Sequence, residues 1–150
     1  HLYAEADEDC LRLVYLPPHH SESKAPVPLH LGRNRLYAGY SLDAMLLSVK
    51  NFGGIENVHR KFANNCFDYD KIKGEIVVEN RREGEKIRLV NRDFDSDVRK
   101  LVNKSFRLED RSSAVILKDS QGVVFVEGSG AAERVKIDSE TVKILAFTIK

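Results

Sequence analysis

The chain has 150 residues, of which 42% are apolar and 31% are charged, a balance typical of a globular protein. Its 24 lysines and arginines nearly cancel its 23 aspartates and glutamates, so the net charge of +1 excludes a strongly basic, tail-like nucleic-acid binder. No apolar run approaches the ~18 residues of a membrane span, and the acidic start HLYAEADEDC does not resemble a secretory signal.

The first third of the chain combines short predicted strands with a polar loop. Alternating apolar residues predict a strand at 11–16 and an edge-type strand at 27–31, with the Pro-Pro-His-His loop between them. Residues 41–50 fit two structures, because Ser41 suits a helix cap while the same apolar residues suit a buried strand. A short helix is predicted at 56–63, and a linker near Asn64–Lys73.

The second half of the chain shows a clearer pattern of strands. Strands are predicted at 75–79, 86–90, 114–117, 123–126 and 144–149, with a turn at 81–85 and a four-residue hairpin loop at 119–122. These elements predict an α+β fold that is strand-rich, with mostly antiparallel sheets and a few short helices. We expect a first subdomain over 1–66 and a second over 67–150.

One helix, predicted over 96–107 with Ser96 as its N-cap, carries both an apolar and a basic face. Val98, Leu101, Val102 and Phe106 form the apolar stripe. The basic stripe roughly opposite contains Lys100, Lys104 and Arg107, with Arg99 at its flank. Adjacent arginines, Arg81 and Arg82, add two planar guanidinium groups suited to phosphate in the preceding turn. These cations predict a surface for a polyanion, although a plain solvated face has the same pattern.

No catalytic or metal-binding constellation is evident in the sequence. The histidines His19, His20 and His30 lack acidic or thiolate companions at ligand spacing. Cys10 and Cys66 are interpreted as isolated buried thiols, and the Gly128-Ser129-Gly130 segment as a turn. We therefore expect no catalytic residue, metal or cofactor in this chain.

Several motifs carry a family resemblance. The run FDYDKIKGEIVVENRREGEKIR at 67–88 resembles an FDxDK segment followed by a strand and an RxRRxGD turn. VRKLV at 98–102, Arg111, VVFVEG at 123–128 and ERVK at 133–136 follow in the same order. This order is similar to the C-terminal region of bacterial tRNA(Ile)-lysidine synthetase, and it also favours a strand over a helix at 42–49.

The resemblance implies a role in tRNA modification. The parent enzyme uses ATP, with Mg, to join lysine to the wobble cytidine of an isoleucine tRNA in the cytoplasm. Its nucleotide-binding half carries a Ser-Gly-Gly-x-Asp-Ser loop that this chain lacks, so the chemistry would reside elsewhere. The C-terminal portion helps to grip the tRNA, including the acceptor stem. The matched positions Arg81, Arg82, Arg99 and Lys100 inherit that contacting role, and Lys104 joins them from the helical pattern.

Two departures from the family pattern bear on this role. Glu79 replaces the first arginine of the turn motif, and acids at 93, 95 and 97 lead into the helix. The alternative is a structural or self-association module, such as a homodimer, in which these arginines form salt bridges and contact no RNA.

Overall fold

The computed structural model describes residues 26–36, 40–79 and 81–150, together with the backbone of 2–7 and 10–15. The two α-helices of this part are α1 (Ile55–Phe62) and α2 (Val98–Ser105). Short 3-10 segments of the described chain lie at Tyr69–Lys71, Leu108–Ser113 and Glu133–Val135. The strands in chain order are β1 (Leu2–Asp7), β2 (Cys10–Tyr15), β3 (Val27–Pro28), β4 (Gly32–Arg35), β5 (Ser41–Ser48), β6 (Cys66–Asp68), β7 (Val77–Val78), β8 (Lys86–Ile87), β9 (Ser96–Asp97), β10 (Ile116–Asp119), β11 (Gly122–Val126), β12 (Gly130–Ala131) and β13 (Lys143–Ile149).

Every strand pair in the described chain is antiparallel. The five-stranded sheet has the order β12-β11-β10-β7-β3, and the four-stranded sheet has the order β4-β5-β13-β6. Two hairpins, β1-β2 and β8-β9, complete the arrangement. The α+β, strand-rich class predicted from the sequence is confirmed.

The final strand, β13, connects two apolar cores. Its side chains alternate, so that Leu145 and Phe147 belong to the main core while Ile144 and Ala146 pack with α1. In the main core, the ring of Phe147 lies edge-on to that of Phe125, with the ring centroids 4.7 Å apart. Val58 and Phe62 of α1 cover the opposite face of the four-stranded sheet.

Several boundaries differ from the sequence predictions. Residues 41–48 are a strand, as the family resemblance favours, because Leu42 and Ala44 face the main core at every second position. The predicted four-residue hairpin loop is wrong, since Asp119 pairs with Gly122 and only two residues remain between the strands.

The stretch Asn64–Lys73, predicted as a linker, contains β6, all of whose residues are buried. β6 and β5 both pair with β13, so the four-stranded sheet joins residues from either side of position 66. The division into subdomains 1–66 and 67–150 stays a prediction.

Gly128 provides a test of close packing between α2 and the turn after β11. Its φ is +82°, and a β-carbon there would lie 2.9 Å from the Cβ of Ser105. Gly84 has nearly the same φ, +81°, but nothing within 4 Å of its hypothetical β-carbon. We expect Gly128→Ala to lower the free energy of unfolding by about 2–4 kcal/mol, and Gly84→Ala by only about 1–2 kcal/mol from backbone strain. Urea denaturation measures both, and equal losses would show that the contact with Ser105 costs nothing.

Candidate nucleic-acid interface

The Arg81–Glu85 segment forms a tight turn between β7 and β8. Gly84 adopts the left-handed backbone conformation that this turn requires. The backbone N–H of Glu85 donates to the carbonyl of Arg82 at 3.4 Å, and the backbone N–H of Arg82 donates to the Glu85 carboxylate. The turn therefore has a defined shape, and the predicted turn at 81–85 is confirmed.

A buried lysine lies beneath the turn. Lys118, on β10, has only 7% of its side chain exposed, and its Nζ lies 2.8 Å from Oε2 and 2.9 Å from Oε1 of Glu85. The same Nζ is 3.8 Å from Oε2 of Glu79, whose other carboxylate oxygen pairs with the guanidinium of Arg82. One ammonium thus contacts the two carboxylates that hold Arg82.

The turn is joined to the start of α2. The backbone N–H of Val98 donates to the carbonyl of Glu85 at 3.1 Å. The side chain of Asp97 accepts a hydrogen bond from the backbone N–H of Arg99 at 3.0 Å and caps the helix. The predicted N-cap, Ser96, is wrong, because Ser96 pairs in β9 and the helix starts one residue later.

The turn and the helix start enclose a shallow cleft of about 570 Å³. Three of the predicted site residues, Arg81, Arg82 and Arg99, line it together with Gly84. Two acids, Glu83 and Asp97, complete its wall. The cleft is open to solvent and large enough for a phosphate group and part of its ribose.

The charges around the cleft are not evenly balanced. The pKa of Arg81 is held below its usual value by partial burial and by the positive charges of Arg99 and Arg111, against which Asp97 acts. Among the described carboxylates, none forms an ion pair with Arg81 or Arg99, whereas Arg82 is engaged by Glu79. Arg81 thus lies near two like charges, those of Arg99 and Arg111, and an anion bound beside it would offset them.

Arg111 is a further arginine near Arg81, and the residue pattern of the α2 helix does not identify it. Its guanidinium donates to the carbonyls of Phe106 and Asn103 at 3.2 Å each, at the C-terminal end of α2. Those bonds hold the side chain against the helix. The only sequence signal for it is the arginine that follows the helix in the family motif.

The predicted basic stripe of α2 is only partly realised. Lys100 and Lys104 lie one turn apart and are both exposed, but neither lines the cleft. Arg107 is not on the helix, because α2 ends at Ser105, and this part of the predicted stripe is wrong. The structure thus brings together Arg81, Arg82 and Arg99, and it places Lys100 and Lys104 on the solvent side of the same helix.

Other groups singled out in the sequence have structural roles where the structure describes them. Cys66 is buried, and desolvation raises the pKa of its thiol to about 11, which leaves it unreactive as a nucleophile. Gly128 lies in a turn, as predicted, whereas Gly130 begins β12. Within the described chain, no group of three metal-ligating side chains comes together. His19, His20 and the side chain of Cys10 lie outside the described residues.

The described helices are all too short or too polar to cross a lipid bilayer.

Comparison with known proteins gives a consistent result for about half of the chain. The tRNA(Ile)-lysidine synthase of Clostridioides difficile (strain 630) is 35% identical over 80 residues, which are 53% of this chain and 17% of that protein. The synthase of Caldanaerobacter subterraneus subsp. tengcongensis is 31% identical over 82 residues, 54% of this chain and 18% of its own length. The matched stretch is therefore about one sixth of each relative. No protein-family model matches the chain.

A solved structure shares the fold. The crystal structure of the TILS C-terminal domain superposes with a TM-score of 0.65 at 16% sequence identity. The match covers 83% of this chain and 95% of that one. The chain resembles tRNA(Ile)-lysidine synthases in sequence and has the fold of the C-terminal domain, as its motifs predict.

Proposed function

We propose that this chain is a non-catalytic tRNA-binding module, the C-terminal portion of a tRNA(Ile)-lysidine synthetase. The observation that carries the proposal is the cleft lined by both Arg81 and Arg99, neither of them in an ion pair with a described carboxylate, with Arg111 near Arg81. Guanidinium groups bind phosphate through charge-assisted hydrogen bonds. The similarity to tRNA(Ile)-lysidine synthases makes tRNA the polyanion that fits this surface best.

Duplex RNA is the form of tRNA that we expect at this surface. The deep groove of an A-form helix admits few side chains, so proteins hold such helices through shape, phosphates and 2′-hydroxyls. The cleft arginines supply phosphate contacts, and Lys100 and Lys104 extend the positive surface along α2. In this proposal the bound duplex is the acceptor stem of an isoleucine tRNA.

The chemistry belongs to a different part of the proposed parent enzyme. That part, working in the cytoplasm, would use ATP with Mg to attach lysine to the wobble cytidine. The residues described here would keep the tRNA in place during that reaction and would take no part in bond formation. This division accounts for a chain with a basic cleft and no catalytic motif.

The test is tRNA binding by the chain as a function of salt. About four phosphate contacts predict a slope of log affinity against log salt of roughly −3. We expect Arg81→Ala and Lys100→Ala each to weaken binding by about three- to tenfold and to reduce the slope by about 1. Arg82→Ala should cost less, since Glu79 already engages that guanidinium. Exposed Arg60 on α1 provides a control, Arg60→Ala, with the same loss of charge.

Unchanged affinity and salt slope in the Arg81 and Lys100 variants would show that this surface does not contact tRNA. The alternative is a structural or self-association module, which the pairing of Arg82 with Glu79 favours. Light scattering separates the two, because a stable dimer that is indifferent to tRNA would support the alternative.

A further inference from the structure

Phe94 is a large aromatic residue that the fold leaves in solvent. Its exposed fraction is 53%, and it lies in the loop that connects β8 to β9. The guanidinium carbon of Arg92 lies 5.5 Å from the centroid of its ring, a cation–π arrangement. The guanidinium thus lies over the ring, which is otherwise half-exposed.

The loop that carries Phe94 is fixed to the rest of the protein. Leu89 is buried and forms a bridge with Ala132. The backbone N–H of Asn91 donates to the Glu133 carboxylate at 2.8 Å, with Asn91 itself in the left-handed conformation. On the other side of Phe94, an ion pair 3.0 Å long closes the loop between Arg88 and Asp95. Because the loop is anchored on both sides of Phe94, binding to its ring costs little additional ordering.

Phe94 lies close to the arginine cleft along the chain. Three peptide steps, about 11 Å at most, separate it from Asp97 in the cleft wall. That span is roughly three base steps of a nucleic-acid strand, each about 3.4 Å along the axis. A strand whose phosphates occupy the cleft would therefore bring a nearby base within reach of Phe94.

We propose that Phe94 and Arg92 form a stacking platform for an unpaired nucleobase, beside the duplex held at the cleft. The proposal rests on the proposed function and deepens it, because it assigns the partner a single-stranded end next to the duplex. Unpaired bases stack on aromatic rings and on guanidinium planes, whereas paired bases are already stacked.

The acids beside Phe94 favour a base over a phosphate at this position. Asp93, the neighbour of Phe94 in the chain, is exposed and would repel a backbone phosphate, while Asp95 on the other side is paired with Arg88. Carboxylates accept hydrogen bonds from the amino groups of cytosine, adenine and guanine. The loop thus suits the base of a nucleotide, whereas the cleft suits its phosphate.

The test compares two RNA hairpins with the same stem, one blunt and one with a single-stranded 3′ overhang. We expect the wild-type chain to prefer the overhang, and Phe94→Leu to lose affinity for it by about 5- to 100-fold while binding to the blunt hairpin stays unchanged. Phe94→Tyr should keep the preference. Tyr69→Leu is the matched control, since Tyr69 is also exposed, at 41%, but belongs to the 3-10 segment before β7 and lines a different cavity, with Leu29 and Leu145. A 2-aminopurine at the first unpaired position should be quenched by the wild type and much less by Phe94→Leu.

The stacking proposal would be overturned if the wild type bound the two hairpins equally, or if Phe94→Leu kept the preference for the overhang. An apolar contact with another protein surface survives the change to leucine, so such a role would give the second result. Loss of affinity for both hairpins in Phe94→Leu would also count against it. The proposed function is tested separately, because Arg81→Ala reports on the cleft with the blunt hairpin alone.

Discussion

Replacing Asp119 with alanine should lower the free energy of unfolding by about 3–5 kcal/mol. The Asp119 side chain is fully buried, with 0% exposed, at the end of β10. Arg134 donates to both of its oxygens, at 2.8 and 2.7 Å, and the backbone N–H groups of Lys73 and Gln121 donate at 3.0 and 2.8 Å. Alanine removes the acceptor for all four bonds and leaves the arginine without its carboxylate. Chemical denaturation measures the loss.

A control for this prediction is Asp93→Ala, which removes one exposed acid of the same type. It should change the free energy of unfolding by no more than about 0.5 kcal/mol. A similarly small effect of Asp119→Ala would show that the buried pair contributes nothing to stability.

The same group contributes to the response of stability to acid. Burial alone would raise the pKa of Asp119, but the hydrogen bonds from Arg134, Lys73 and Gln121 outweigh it and hold the pKa below its usual value. A carboxyl group with a lowered folded pKa contributes stability above its unfolded pKa of about 3.9, and that stability is lost as the pH falls through the folded pKa. In Arg134→Met, removal of the guanidinium should raise the folded pKa of Asp119 toward its unfolded value, so the stability lost on acidification below about pH 4 should be smaller than in the wild type, as urea denaturation at a series of pH values would show.

Replacing Lys118 with methionine should cost about 2–4 kcal/mol of unfolding free energy and also weaken tRNA binding severalfold. Glu79 and Glu85, with only 13% and 18% of their side chains exposed, would then face each other without the ammonium that lies between them. Their repulsion would loosen the turn that carries Arg81 and Arg82. Lys118→Arg should recover most of both losses, because it keeps the charge.

The matched control is Lys143→Met, which removes an exposed lysine from β13 and changes the net charge equally. Urea denaturation and tRNA titration of the three variants separate a local effect from a general effect of charge. If Lys118→Met matches Lys143→Met in both measurements, the buried ammonium does not organise the turn.

Local sequence signals predicted the elements of this fold better than their junctions. The strand at 144–149 and the turn that contains Gly84 were both predicted, because a short apolar run and a glycine in a polar segment are local signals. The cap of α2 was misassigned because Ser96 and Asp97 are both good cap residues, and only the pairing of Ser96 with Ile87 decides between them.

The cleft was predictable only in part. Arg81, Arg82 and Arg99 could be named from motifs, but their convergence depends on the hydrogen bond between Val98 and Glu85, which no local pattern indicates. The burial of Lys118 was not predicted, because a lysine in a strand is expected to face water. Its burial requires two carboxylates from a different part of the chain.

The position of β13 has a consequence for how the protein is made. β5 and β6 do not pair with each other, and each finds its partner in β13, which is synthesised about 75 residues after β6. During translation the backbone edges of β5 and β6 that pair with β13 must stay unpaired until the ribosome has released residues 143–149. Such distant pairing slows folding and exposes nascent chains to aggregation. We expect this domain to depend on chaperones more than a helical domain of the same length.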